Sequence, residues 1–147
     1  MRIAVFASGN GSNFEAIARE KYRRVRVVML VTDNKRAYCV ERSKRLGIPC
    51  HVFPYGEYVS KSDFEKTILE LLKRERIDAI VLAGYMRILS PLLLNAFPGR
   101  ILNIHPSLLP AFKGLNAIKQ AYDYGVKIIG VTVHRVSPEI DAGAIID

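Results

Sequence analysis

Apolar residues along the chain fall in short unbroken runs that alternate with stretches of helical period. RIAVFA (2–7) is nearly all apolar and is bounded by the polar turn SGNGSN, which predicts a buried strand. Residues 13–22 follow as a helix, with Phe14, Ile17 and Ala18 at helical spacing. VRVVMLVTD (25–33) predicts a second strand, 37–47 a helix stopped at Gly47, and PCHVF (49–53) a short third strand. The next helix is expected to start at Ser62 as cap, with Glu65 as its capping-box partner, and to carry Phe64, Ile68, Leu71 and Leu72 on one stripe. Residues 77–85 predict strand four, 90–97 a short helix with Pro91 in its first turn, and 99–104 strand five. Residues 116–125 read as a helix closed by Gly125, 126–136 as a last long strand, and 143–147 as the start of another. No repeat, linker or low-complexity tract interrupts this order.

Strands of nearly continuous Val, Ile and Leu, separated by helices, predict an α/β fold: a doubly wound, mostly parallel sheet with helices on both faces. The 147 residues, 50% of them hydrophobic, suit one domain (1–147) with a sizeable core. No apolar run is long enough for a bilayer, and the amino terminus lacks the pattern of an export signal. The two cysteines, Cys39 and Cys50, sit in no metal-binding spacing. The expectation is a cytoplasmic protein with no membrane partner. Lys and Arg outnumber Asp and Glu by 22 to 14, a net charge of +8 that favours anionic partners. The basic residues scatter through REKYRRVR, NKR, KRER and FKG without interleaved aromatics. That fits small phosphorylated or carboxylated substrates better than nucleic acid.

In such a sheet, ligands collect beyond the carboxyl ends of strands. Three segments qualify. In FASGNGSNFEAI, glycines precede a helix start whose free N–H groups suit an anion such as phosphate. An ordinary tight turn capped by Ser12 or Asn13 would read the same way. Phe14 stands where a dinucleotide motif has its third glycine, which weakens that reading and with it Asp33 as a ribose ligand. In GYMRILSP, Met86, Ile88 and Leu89 surround Arg87, a composition suited to a flat heterocycle with an acidic tail. Core filling by Ile88 and Leu89 around a solvated Arg87 is the alternative.

The third segment is NIHPSLLP. Asn103 and His105 are two apart on a strand, so they point to one side, and an amide with an imidazole can hold the oxygen of a tetrahedral intermediate. Asp141, in the loop SPEIDAGA, is the candidate orienting carboxylate, and an ion pair with it favours the protonated imidazole. A lone loop histidine and a turn aspartate would leave the same pattern. The sequence has no GxSxG motif and no metal-ligand cluster, so the chemistry expected is direct attack of one substrate on another.

SGNGSN, VLAGYMRILS, NIHPSLLPAFKGL and GVTVHRVSPEIDAG, in this order and spacing, resemble the phosphoribosylglycinamide formyltransferases, folate-dependent enzymes of purine synthesis. The resemblance covers essentially all of the chain. NxHPSLLP and DxG are shared more widely by folate formyltransferases and formyl hydrolases; SGNGSN joined to NIHPSLLPAFKGL selects the purine enzymes. The resemblance implies a Rossmann-like fold, no metal, and transfer of formyl from 10-formyltetrahydrofolate to the amine of 5'-phosphoribosylglycinamide. It assigns Asn103, His105 and Asp141 as catalytic, the first two to hold the oxyanion and the last to assist proton transfer. Gly11, Ser12 and Asn13 would hold the substrate phosphate, and Lys61, Met86, Arg87, Ile88, Leu89 and Asn103 the folate. Family members normally continue past the DxG loop, so the chain is expected to be short at its carboxyl end, with its activity in question. Monomer and homodimer are both open. Two other functions fit the residues: a related folate formyltransferase or formyltetrahydrofolate hydrolase, and a non-catalytic nucleotide-binding domain. A tRNA-formylating relative would need an appended basic RNA-binding module, which this sequence lacks.

Overall fold

The run RIAVFA becomes the strand around which the sheet is ordered. In the computed structural model, which describes residues 1–21 and 23–147, β1 (Arg2–Phe6) pairs on one side with β2 (Arg26–Thr32) and on the other with β4 (Ala79–Leu82). With β3 (Cys50–Val52), β5 (Ile101–His105) and β6 (Thr132–Arg135) the order is β3-β2-β1-β4-β5-β6. The first five strands are parallel, and β6 runs antiparallel to β5. The order reverses between β1 and β4, so the loops leaving these two strands flank the crevice where such sheets bind ligands.

Both faces of the sheet are covered, as the unbroken apolar strands demand. Alternate residues of β1 go to opposite sides. Ala4 and Phe6 join Phe64, Ile68 and Leu72 of α3 (Lys61–Arg74) and Leu93 of α4 (Pro91–Ala96). Ile3 and Val5 join Phe14 of α1 (Ser12–Arg19) and Cys39 of α2 (Tyr38–Leu46). Each large side chain so enclosed contributes about 1.5–3 kcal/mol relative to exposure. A fifth helix, α5 (Ala117–Tyr124), closes at Gly125 as expected.

Several boundaries differ from the sequence expectation. α1 is capped by Gly11, not by the side chain of Ser12 or Asn13; Gly11 has φ 76°, and a Cβ there would collide with Cys39. The helix predicted to residue 22 ends at Arg19, and residue 22 lies outside the described residues. α3 begins two residues earlier than predicted. Its cap is Ser60, whose Oγ accepts the Asp63 N–H (3.1 Å) and donates to Asp63 Oδ2 (2.7 Å). Serine then acid at a spacing of three recurs at Ser60 and Asp63, and Glu65 is freed to face inward. β4 is shorter than 77–85 because Gly84, at φ 78°, turns the chain away. The last strand covers only four of the eleven positions in 126–136. It can pair only where β5 lies opposite, and its partners run from Leu102 to His105 before Pro106 removes the next donor. Residues 144–147 do begin a further pairing: the Arg135 N–H donates to Ala144 O (2.9 Å) and the Ile146 N–H to Val133 O (2.7 Å). Among the described residues, no helix is long and apolar enough to cross a membrane.

Candidate active site

β5 places Asn103 and His105 on one side of its carboxyl end, and its antiparallel partner sets His134 opposite Asn103 and Thr132 opposite His105. Asp141 reaches the same spot from the loop after β6. His105 Nδ1 lies 3.3 Å from Asp141 Oδ2, with both side chains nearly buried. The structure thus brings the side chains of Asn103, His105 and Asp141 together. Asp141 has φ 48°, a left-handed conformation that Asp tolerates better than most residues. Two positions on, a Cβ at Gly143 would collide with the Arg135 carbonyl, so the DxG spacing lets the loop return close against β6.

Each catalytic candidate has further partners. His105 Nε2 is 2.9 Å from Phe112 O, so both ring nitrogens face acceptors and both act as donors when the imidazole is protonated. Asp141 Oδ2 accepts the Gly114 N–H (2.8 Å), and Oδ1 lies 3.4 Å from Asn103 Nδ2. His134 was not singled out from the sequence. It is 2% exposed, its Nδ1 faces Arg135 O at 3.0 Å, and its Nε2 is 3.1 Å from Asn103 Nδ2. A proton on Nδ1 leaves Nε2 as the acceptor that orients the Asn103 amide. The signal was the alternation in TVHR (132–135), which puts Thr132 and His134 on one face; only the pairing register shows that this face is the site's.

Asn103, His105, Asp141 and His134 open on a cavity of about 1100 Å³, also lined by Asn13, by residues 86–89 and by Leu115 and Ile118. A second, smaller cavity of about 220 Å³ lies across the 86–89 segment and holds Lys61 and Tyr55. Lys61 therefore sits beside the folate candidates but not with the trio. Gly11 and Ser12 lie at the start of α1, and Asn13, the third phosphate candidate, faces the large cavity. This turn is held from outside: Arg42 Nε donates to Asn10 O (2.9 Å), and Arg42 also pairs with Glu15. Hydrogen bonds from Arg19 and then Arg42 pull the partly buried Glu15 carboxyl below its usual range.

In the loop after β4, Arg87 lines both cavities and is also engaged within the protein: its Nε is 2.7 Å from Asp33 Oδ2 and its guanidinium stacks 3.9 Å from the Tyr55 ring centre. The same contact occupies Asp33 Oδ2. Leu89 is buried in the core, whereas Met86 and Ile88 are 64% and 60% exposed and give the loop an apolar outer edge. Burial, and then the Asp33 carboxylate, push the Tyr85 phenol up, so it stays neutral.

An amide, an imidazole and a carboxylate converge at the carboxyl end of β5 beside a large cavity of a doubly wound sheet, an arrangement suited to acid–base chemistry on a bound ligand. The chain belongs to the formyl transferase family, whose model it matches over residues 1–147. It is 47% identical to the phosphoribosylglycinamide formyltransferase of Bacillus subtilis over 148 aligned residues, 99% of this chain and 76% of that protein. Among solved structures, glycinamide ribonucleotide transformylase 1 of Geobacillus kaustophilus superposes with a TM-score of 0.95 at 51% identity, over 99% of this chain and 79% of that one. The phosphoribosylglycinamide formyltransferase of Streptococcus pneumoniae gives 0.94 at 46%, with the same coverage of 99% and 79%.

Proposed function

We propose that this protein transfers the formyl group of 10-formyltetrahydrofolate to the amine of 5'-phosphoribosylglycinamide, a step of purine synthesis, in the cytoplasm. The observation that carries the reading is the His105–Asp141 pair, 3.3 Å apart and beside Asn103 in one large cavity. The relatives' names and the free thiols of Cys39 and Cys50 support the setting.

The amine lone pair attacks the formyl carbon, and the carbonyl π electrons move onto oxygen. His105 and Asn103 donate to that oxyanion. An oxyanion is a stronger acceptor than a peptide carbonyl, so it competes for the His105 donor now given to Phe112 O. Asp141 orients the imidazole through its Nδ1 and, through water, takes the proton from the attacking nitrogen and returns it to the folate nitrogen as the C–N bond breaks. The substrate phosphate binds the first turn of α1 at Gly11, Ser12 and Asn13, where backbone N–H groups are unpaired by the helix. The flat folate ring packs on Met86, Ile88 and Leu89, and Lys61 meets the acidic tail. Arg87 shapes that wall through Asp33 and Tyr55.

Offering the ribosylglycinamide substrate, tRNA and water as competing acceptors tests the reading. Formyl should appear on the ribosylglycinamide amine; transfer to water alone would overturn the proposal in favour of a hydrolase.

A further inference from the structure

Glu65 is a buried carboxylate that the proposed reaction does not use. It lies on the inner face of α3, 1% exposed, and it appears in no ion pair among the described residues. Both of its oxygens go to one residue. Oε1 accepts the Ser90 N–H at 2.9 Å, and Oε2 accepts the Ser90 hydroxyl. Ser90 Oγ in turn accepts the Leu92 N–H at 3.2 Å and caps α4. A leucine at position 65 would fill this core site without burying a charge, so the carboxylate is there for what it holds.

What it holds is the far end of the 84–90 loop. The near end is tied by Ser8: its N–H donates to Gly84 O (3.0 Å), and its Oγ accepts the Met86 N–H (3.0 Å). Arg87 is fixed in the middle by Asp33. The anchors thus hold the loop's backbone and leave the side chains of Met86 and Ile88 outside.

We propose that Glu65 is a positioning residue for the formyl-folate co-substrate: by gripping Ser90 it sets the height of the 86–89 wall against the cavity, without touching the ligand. The inference rests on reading residues 86–89 as the folate wall. Glu65→Ala should raise KM for 10-formyltetrahydrofolate by about tenfold or more, the usual consequence of leaving buried donors unpaired. KM for the ribosylglycinamide substrate should stay put. Amide exchange should quicken at residues 85–90 and not in the rest of the core. Glu65→Gln, which keeps the shape and one acceptor, should recover most of the folate affinity. Should Glu65→Ala fail to fold, Ser90→Ala carries the test, with a folate KM raised by about threefold from one lost hydroxyl bond. An unchanged folate KM with unchanged exchange at 85–90 in a folded variant overturns the proposal. So does an equal rise in both KM values with exchange quickened throughout. If the wild-type chain transfers no formyl, the functional reading falls and the clamp does not, because exchange at 85–90 reads it with neither substrate present.

Discussion

Residues 1–105 and residues 106–147 are held together by different forces. Among the described residues every buried apolar side chain lies at or before Ile101, except Ala117 and Ala121. The later stretch leaves Leu115, Ile118, Tyr122, Ile128 and Ile129 exposed. It is organised by polar bonds instead: Thr132 Oγ donates to Ser107 O (2.7 Å) and accepts the Leu109 N–H (3.1 Å), and Gln120 Nε2 donates to Lys113 O (3.0 Å). Asn103 and His105 come from the end of the first region and Asp141 from the second. The lesson is that a packed scaffold fixes the two donors, while the carboxylate arrives on chain whose order depends on hydrogen bonds around the site itself.

That contrast can be broken at either end. The largest effect should come from Leu72→Ala in the packed region, where the side chain is fully buried; denaturant unfolding should lose about 2–5 kcal/mol, and a loss well below that range would mean the first region is not the stabilising one. His105→Ala, at the junction, should cut turnover about a hundredfold or more, equivalent to about 3 kcal/mol, while moving the unfolding midpoint less than Leu72→Ala does. Near-normal turnover would remove the imidazole from the mechanism. Thr132→Val should be the mildest, costing about 1–2 kcal/mol of local order, seen as faster amide exchange at residues 107–111 with the core unaffected. Equal quickening across the sheet would show that the two regions are one cooperative unit.

The first region was also the more legible. Its strands and helices follow from runs and periods that local chemistry imposes, and the doubly wound sheet follows from their alternation. The errors there are local competitions, such as Ser60 against Ser62 for one helix start, or Gly11 taking the cap from the polar residues beside it. In the second region the apolar residues of 126–131 read as strand, but pairing ends where β5 ends, a limit set by another part of the chain. The site divides in the same way. Asn103 and His105 were visible as neighbours on one strand, and Asp141 as an acid in a turn. His134 and Glu65 were not, because their meaning lies in a cross-strand register and in an inward-facing helix position, which only the assembled sheet defines.

Asp141 gathers the Gly114 amide, the His105 ring and, more loosely, the Asn103 amide onto two oxygen atoms. One consequence concerns what replacing it would mean. Asparagine would leave one carbonyl oxygen for the Gly114 and His105 donors and turn an amide toward Asn103, so a single exchange alters both the anchorage of the loop and the charge it carries into the chamber.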